Sequence, residues 1–222
     1  MKLVIGNKNY SSWSLRAWLF LSWHELEFEE IRVPLYQPGS REQLLGFSAA
    51  GQVPVLLDED LLVWDSLAIC EYVSEQYLDN RGWPRSRAMR AEARSVSAEM
   101  HAGFHAIRNR LPMNARASGR HVGLDQELQA EIQRLQSLWQ DLRSRHGSLG
   151  PWLFGKFSIA DCFYAPMAFR FPAYGVTLTG AAADYLSLLR EQPLMQNWLE
   201  AARQEQEVIT FAETGIDSQP QS

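Results

Sequence analysis

The first third of the chain alternates short apolar runs with longer amphipathic stretches, which predicts strands interleaved with helices. The run Leu3–Ile5 stops at Gly6 and is typical of a buried strand, and Leu15, Trp18 and Leu19 then share one helix face. The predicted elements are, in order, a strand at 3–5, a helix from Ser14, a strand within 27–35, a short helix at 40–47, strands at 53–57 and 61–64, and a helix from 65 to about 78.

Beyond residue 87 only helical periodicity is visible. Apolar residues recur at alternating spacings of four and three from Met89 through Gly103 to Leu111, which predicts one long helix. Asp125 is expected to cap a second long helix that ends by Gly147. Shorter helices are expected at about 158–171, 183–190 and 194–204. Helices of this kind are expected to pack as a bundle.

These two patterns predict two domains joined by a linker. The first, at residues 1–79, has a parallel crossover followed by a hairpin, which indicates a thioredoxin-like α/β fold. The linker at 80–86 contains Gly82 and Pro84 and has no apolar face. The second domain, at residues 87–222, is predicted to be an all-α helical bundle whose polar tail from Glu213 is disordered.

Composition and charge exclude several classes of function. Of the 222 residues, 46% are hydrophobic and 21% charged, as in folded globular proteins, and a net charge of -5 offers no footprint for nucleic acid. No apolar run is long enough to span a membrane and the N-terminus does not resemble a signal peptide, so we expect a cytoplasmic protein with no membrane partner. Cys70 and Cys162 have no metal-ligand spacing, so we expect reduced thiols and no metal.

Pro54 opens one of the predicted strands, where a proline cannot donate a hydrogen bond to the ladder. A cis Val53–Pro54 bond would turn the chain sharply and leave the N–H and C=O of Val53 free to pair with an extended peptide. Composition alone favours the trans bond, because only about 5% of X–Pro bonds in folded proteins are cis.

Asp65 and Ser66 stand at the start of a predicted helix, where an N-cap is the simplest role. The free N–H groups and the dipole of a helix start also bind anions, and the Ser66 hydroxyl adds a donor. Asp65 beside it can pair with an amino group. The two residues therefore suit either a plain cap or the carboxylate and amine of an amino-acid terminus.

The turn before the first helix carries the hydroxyls of Tyr10, Ser11 and Ser12, more than one cap requires. A surplus hydroxyl at a helix start can donate to a thiolate. A thiol with a pKa near ~8.5 is only a few per cent ionised at pH 7, and lowering that pKa by about two units takes roughly 2.7 kcal/mol. No His and Asp pattern accompanies these serines, so a Ser–His–Asp nucleophile is not expected.

Gln52-Val53-Pro54, followed by Asp65-Ser66, resembles the glutathione-binding signature of cytosolic glutathione transferases. The resemblance implies a cis Pro54 and a Val53 backbone that bonds the cysteinyl backbone of glutathione. It also implies that Asp65 and Ser66 hold the γ-glutamyl end, with an added contact from Gln52. Glutathione is therefore the expected co-substrate.

The serine-rich turn most resembles the serine motif of the zeta class, which contains maleylacetoacetate isomerases. The resemblance implies that Ser11 stabilises the thiolate. Ser12 stays open as an alternative, and Tyr10, which ranks below Ser11, is also considered because other classes of the family use a tyrosine. Trp13 stands where zeta enzymes have a cysteine, a departure that bears on the isomerase chemistry. Arg170 either faces the substrate and binds a carboxylate or lies at the surface or between the domains.

Ser158 and Asp161 resemble the capping box of the buried helix in this family. Each can satisfy a backbone N–H of the other, and Pro166 is then expected to kink the helix. This motif is expected to serve folding, not catalysis.

The resemblance implies a glutathione S-transferase that activates the glutathione thiol for conjugation to a small electrophile. A glutathione-dependent cis–trans isomerase of the maleylacetoacetate isomerase type would use the same site, and a basic pocket for two carboxylates would favour it. A non-catalytic binding or regulatory protein, like the partners of RNA polymerase with this fold, is the third hypothesis. The family also implies a homodimer, whereas thiol–disulfide exchange would need a cysteine at position 11.

Overall fold

The computed structural model describes residues 1–215 and begins with a small sheet covered by helices. Its first seven elements follow the predicted order, with ends within a few residues of those predicted. They are β1 Lys2–Ile5, α1 Ser12–Trp23, β2 Glu29–Arg32, α2 Ser40–Phe47, β3 Val55–Asp58, β4 Leu61–Val63 and α3 Ser66–Tyr77. The four strands lie in the order β2-β1-β3-β4, with β1 and β2 parallel and the other neighbours antiparallel. The predicted parallel crossover and closing hairpin are confirmed.

The central strand β1 contributes to two apolar cores because its side chains alternate between the faces of the sheet. Leu3 and Ile5 are fully buried in the large core, which also contains the inner face of α1. Val4, between them, points into a small separate core with Val55 and Leu44 of α2. Two-sided burial explains why this strand appears in the sequence as a continuous apolar run.

In the described residues after α3, seven α-helices follow, and they confirm the predicted helical second domain. They are α4 Arg87–Ala102, α5 His105–Arg110, α6 Gln126–His146, α7 Ile159–Tyr164, α8 Met167–Ala173, α9 Gly180–Glu191 and α10 Pro193–Gln204. Asp125 caps α6 as expected, with its carboxylate accepting from the Leu128 N–H at 3.0 Å. Within residues 1–215, no helix has the length and apolar character needed to cross a membrane. The bounds 1–79 and 87–222 for the two domains stay a prediction.

The prediction of one long helix from Met89 to Leu111 is wrong. The helix ends at Ala102, Gly103 takes an extended conformation, and Phe104 has a positive φ of 56° before α5 begins. The Gly103 N–H still bonds the Glu99 carbonyl oxygen at 2.8 Å, so glycine acts as the C-cap of α4. The apolar spacing persisted across the break because residues on both sides remain buried.

The polar tail also differs from the prediction at its start. Glu213 accepts hydrogen bonds from Tyr10 at 2.6 Å and from Asn114 at 2.8 Å, and it pairs with Arg120. Residues 205–215, which we call the C-terminal segment, thus pack on the turn before α1. The rest of the predicted disordered tail, 216–222, lies outside the described residues.

The capping box at α7 is confirmed, and it is extended by further donors. The Asp161 carboxylate accepts from the backbone N–H of Ser158 at 2.8 Å, the N–H of Leu153 at 3.1 Å and the Tyr185 hydroxyl at 2.9 Å. Burial raises the pKa of Asp161 to about 6. The helix breaks at Pro166 as expected, and α8 restarts at Met167.

Candidate active site

Strand order brings three loop ends together at one end of the sheet. In the β1–β3 pair Val4 lies opposite Val55, so the carboxyl end of β1 is beside the start of β3. In the β3–β4 pair Leu56 lies opposite Val63, so the end of β4 reaches the same place. The turn that opens α1, the residues before β3 and the start of α3 therefore share this end of the sheet, which we call the site end.

Val53 lies at the site end with its backbone outside the ladder. The Val53–Pro54 peptide bond is cis, as the family resemblance implied and against the expectation from composition. The ladder of β3 begins at Val55, and no hydrogen bond joins the N–H or C=O of Val53 to another residue of the described chain. Gln52 beside it is exposed. Both residues are thus available to an extended ligand.

Asp65 is the N-cap of α3 and also contacts the helical half of the protein. Its Oδ1 accepts from the N–H of Leu67 at 2.9 Å and of Ala68 at 3.4 Å. Its Oδ2 lies 3.0 Å from Nε2 of His101, and 44% of the side chain remains exposed. The simplest role, a cap, is therefore present, and the carboxylate still has room for an ammonium group.

Ser66 has a buried hydroxyl without a hydrogen-bond partner in the described chain. The residue is fully buried, and its Oγ has no hydrogen-bond partner within residues 1–215. It lies in the first turn of α3, where backbone N–H groups and the helix dipole favour an anion. A buried polar atom without a partner is unusual in native proteins, and a bound carboxylate would satisfy it.

Ser11 is the N-cap of α1, and its hydroxyl oxygen and its proton are both engaged with Ser14. Its Oγ accepts from the Ser14 N–H at 3.2 Å and donates to the Ser14 hydroxyl at 2.7 Å. The Ser14 oxygen also accepts from the Gly6 N–H at 3.0 Å. Ser11 therefore has to turn its hydroxyl away from Ser14 before it can donate to a thiolate.

Ser12 is the first residue of α1 and has its proton free. Its Oγ accepts from Nη2 of Arg170 at 3.1 Å, and no donation from this hydroxyl to another described residue is found. Arg170 is 95% buried and also donates to the Leu111 carbonyl oxygen at 2.6 Å. The structure thus places Arg170 between the two halves of the protein, behind the serine turn, where its charge polarises the Ser12 hydroxyl.

Tyr10 is directed toward the C-terminal segment. Its hydroxyl donates to Glu213 at 2.6 Å and accepts from Arg116 at 3.3 Å. Burial, together with the hydrogen bond to Glu213, raises the pKa of Tyr10 above its usual value, so the phenol is neutral at pH 7. These bonds place Tyr10 in the wall of the site and do not direct it at the helix start.

A cluster of cations and aromatic rings lies behind the serine turn. The Arg16 guanidinium is sandwiched between the Trp13 ring at 4.2 Å and the Phe163 ring at 4.6 Å, and its Nε and Nη1 have no partner in the described chain. The Arg108 guanidinium also lies over the Trp13 ring, 5.1 Å from its centroid. Burial, reinforced by the guanidiniums of Arg108 and Arg170, lowers the pKa of Arg16 to about 9, still well above pH 7. Positive charge thus accumulates beneath the helix start.

His101 and Arg16 are site-end residues that the sequence did not single out by role. Arg16 follows Ser12 by four residues and therefore lies on the same face of α1. This spacing is the sequence signal that places a charged side chain on the buried side of the helix. His101 occupies the last turn of α4, which packs on α7, and its ring reaches Asp65 of the first half of the chain. No group of three or more His, Cys, Asp or Glu side chains in residues 1–215 is arranged to hold a metal ion.

Two family models match the chain on either side of the linker. The model for the glutathione S-transferase N-terminal domain matches residues 10–76, and that for the C-terminal domain matches residues 124–201. Together they account for more than half of the 222 residues. The first match includes every residue that the sequence proposed for the glutathione site.

The chain is similar to two kinds of curated protein, maleylacetoacetate isomerases and stringent starvation protein A homologs. The chain is 28% identical to a maleylacetoacetate isomerase of Pseudomonas aeruginosa, over 80% of this chain and 84% of the relative. It is 25% identical to a stringent starvation protein A homolog of Pasteurella multocida, over 64% of this chain and only 63% of that relative. A Burkholderia glutathione transferase homolog, solved with bound glutathione, superposes with a TM-score of 0.68 at 23% identity, over 91% of this chain and 97% of the other. The chain belongs to the glutathione S-transferase family of enzymes.

Proposed function

We propose that this protein binds glutathione at the site end and activates its thiol for attack on a small electrophile, a detoxifying conjugation. The observation that carries the proposal is the convergence of an unpaired Val53 backbone, an unbonded buried Ser66 hydroxyl beside Asp65, and the serine-capped start of α1. These groups match an extended peptide that has an α-amino-acid group at one end and a thiol in the middle.

The roles of the groups follow from their chemistry. The Val53 N–H and C=O pair with the backbone of the cysteinyl residue, and Gln52 adds a side-chain contact. Asp65 accepts from the γ-glutamyl ammonium group, and Ser66 with the start of α3 binds the γ-glutamyl carboxylate. A thiol set against the start of α1 then meets the Ser11 and Ser12 hydroxyls.

Thiolate formation is supported from several sides. Ser12 can donate its free proton, and the Arg170 guanidinium behind it increases the strength of that donation. Ser11 can add a second bond after leaving Ser14. About 2.7 kcal/mol is needed to lower the thiol pKa by two units, and one charge-assisted hydrogen bond of about 1.5–3 kcal/mol together with the helix dipole supplies that amount.

The test is calorimetric titration of reduced glutathione into the wild type, Ser11→Ala, Ser12→Ala and Tyr10→Phe, with thiolate absorbance followed against pH. We expect wild type to bind and to lower the thiol pKa. One or both serine variants should bind glutathione and lose that shift, whereas Tyr10→Phe should keep it. Wild type that binds no glutathione would remove the proposal.

Two other functions rest on specific similarities. The maleylacetoacetate isomerase of P. aeruginosa supports a glutathione-dependent isomerase that uses the same site and returns the thiol. The stringent starvation protein A homologs, with names that specify no transferase activity, support a non-catalytic binding or regulatory protein. Turnover of a cis diacid without net loss of glutathione would select the first, and absence of glutathione binding the second.

We also propose a cytoplasmic homodimer. Arg87 lies exposed on α4 and Glu75 lies exposed on α3, so the two helices carry opposite charges on accessible faces, whereas Arg94 already pairs with Glu71 of its own chain at 3.4 Å. Pairing α3 of one copy with α4 of another would join the two copies into a dimer. A mass in solution close to that of one chain, measured by light scattering, would contradict the dimer.

A further inference from the structure

A pocket lies between the C-terminal segment and the loop that follows α5. Its volume is about 440 Å³, within the range of sites that take small organic molecules. It is lined by Arg116, Ala117, Arg120, Val208, Thr210 and Glu213. The walls therefore combine apolar surface with two guanidiniums and one carboxylate.

The pocket is attached to the turn that opens α1. Arg116 donates its backbone N–H to the Asn9 side-chain oxygen at 2.9 Å, and the Ala115 N–H bonds the Asn9 carbonyl oxygen at 3.0 Å. Nη2 of Arg116 reaches the Tyr10 hydroxyl at 3.3 Å. Because Asn9 and Tyr10 lead directly into Ser11, the N-cap of α1, the pocket borders the turn that carries the helix start.

The charge of Arg116 is not balanced by a carboxylate within the described residues. Its guanidinium donates to the carbonyl oxygens of Glu205 and Glu207, the latter at 2.9 Å, and to the neutral Tyr10 phenol. These bonds use three of the five N–H groups that an arginine carries.

Glu213, the carboxylate of the pocket lining, is already paired. Arg120 pairs with Glu213, and hydrogen bonds from Tyr10 and Arg120 hold the pKa of Glu213 below its usual value although burial opposes them. Glu205 and Glu207 share Arg32, at 3.6 and 3.0 Å, and neither of these two carboxylates lines the pocket. The lining of two arginines and one glutamate thus keeps one positive charge in excess at pH 7.

We propose that this pocket binds the second substrate and that Arg116 selects an electrophile with a carboxylate or another compact anionic group. This inference rests on the proposed function, because it needs a glutathione thiolate beside the pocket. Ala117 and Val208 contact the carbon skeleton of the acceptor, and the free N–H groups of Arg116 take its anion. With an aryl chloride the thiolate sulfur forms the C–S bond, and chloride leaves with the electron pair of the broken C–Cl bond.

The test compares 4-chloro-3,5-dinitrobenzoate with its neutral methyl ester at saturating glutathione, each rate being divided by the uncatalysed rate. Wild type should accelerate the carboxylate more than the ester. Arg116→Gln should lower kcat/KM for the carboxylate by about 10–100-fold, the worth of a charge-assisted hydrogen bond, and change that for the ester less than about 2-fold. Arg116→Lys should recover part of the loss. Arg203→Gln, an exposed arginine of α10, is the matched control and should change neither.

A second variant covers the case that Arg116→Gln releases the C-terminal segment and fails to fold. Ala117→Glu leaves Arg116 in place and adds a negative charge to the lining, so it should raise KM for the carboxylate more than for the ester. Ala117→Gln adds nearly the same volume without the charge and should change KM for both acceptors alike. If the variants affected both acceptors equally, or if wild type accelerated both equally, the anion preference would be refuted. The proposed function would still stand in that case, provided that wild type binds glutathione and ionises its thiol. Absence of glutathione binding in wild type would instead overturn the proposed function and this inference with it.

Discussion

The proposed glutathione half of the site and the Arg116 pocket are built in different ways. At the site end, Val53, Asp65 and Ser66 offer backbone groups, a helix start and a cap, and strand order alone brings them together. The pocket depends on side chains far apart in the chain, such as Tyr10 with Glu213 and Arg116 with the carbonyl oxygens of the C-terminal segment.

Because they are built differently, the two parts suit different ligands. Backbone and helix-start groups recognise features that every glutathione molecule has, so this half suits a constant co-substrate. Side-chain charges on a loop and a terminal segment can change without disturbing the sheet, so the pocket suits a variable acceptor. Arg170 stands between the two, since it contacts both Ser12 and the loop at Leu111.

The largest effect is expected from Asp65→Ala, which should weaken glutathione binding by about 10–100-fold. The variant removes the partner of the γ-glutamyl ammonium group, and hydrogen bonds to charged groups are worth about 1.5–3 kcal/mol. Loss of the cap should also lower the free energy of unfolding by about 1 kcal/mol. Calorimetry and thermal melting measure the two effects.

Asp125→Ala is the matched control, because Asp125 caps α6 in the same way, with an additional exposed ion pair to Arg110. It should cost similar stability and leave glutathione affinity unchanged. If both variants weakened binding equally, Asp65 would be only a cap, and the glutathione half would lose its ammonium partner.

An intermediate effect is expected from Arg170→Met, which should raise the pKa of bound glutathione by about one unit. Arg170 is buried beside Ser12, and removal of one positive charge in a poorly solvated site changes the free energy of a nearby thiolate by about 1–2 kcal/mol. Arg170→Lys keeps the charge and should hold the pKa near the wild-type value. Thiolate absorbance against pH measures the shift.

Arg143→Met provides the comparison, because Arg143 likewise donates to a carbonyl oxygen, that of Gly150, but far from the helix start. The melting temperature of Arg143→Met should fall about as much as that of Arg170→Met. The pKa of bound glutathione should remain at the wild-type value in Arg143→Met. A thiol pKa that is equal in wild type and Arg170→Met would show that Arg170 only joins the two halves.

The smallest effect is expected from His101→Gln, and it concerns stability against pH. Burial lowers the pKa of His101, the Arg16 and Arg108 charges add to this, and the Asp65 carboxylate opposes it. The unfolded chain, with a histidine pKa near ~6.5, therefore takes up the proton first as pH falls, and the folded state loses stability below that pH.

His101→Gln should remove part of this loss, less than about 1 kcal/mol between pH 7 and 5.5. Denaturant unfolding at several pH values measures it, and His121→Gln, at an exposed position, is the control. A wild-type profile identical to that of His101→Gln would show that protonation of His101 does not bear on the contact between α4 and Asp65.

Most of the fold and much of the glutathione half could be predicted from the sequence. The order of the elements, the cap at Asp125 and the break at Pro166 follow from signals within a few residues of each position, whereas the cis Val53–Pro54 bond followed from the family resemblance. The long helix was predicted wrongly because a small residue fits an apolar seam and a C-cap equally well, and Gly103 serves as the cap. The roles of Ser11 and Ser12 stay predictions.

The sequence by itself determined the order of the elements, the two-sided burial of β1 and the hydroxyl-rich turn before α1, because local periodicity, caps and proline act directly on the backbone. Only the tertiary structure decided that Arg170 reaches Ser12, that His101 reaches Asp65 and that Glu213 receives Tyr10. These contacts join residues separated by much of the chain. Their free energy depends on burial and on neighbouring charges, which exist only after the helices have packed.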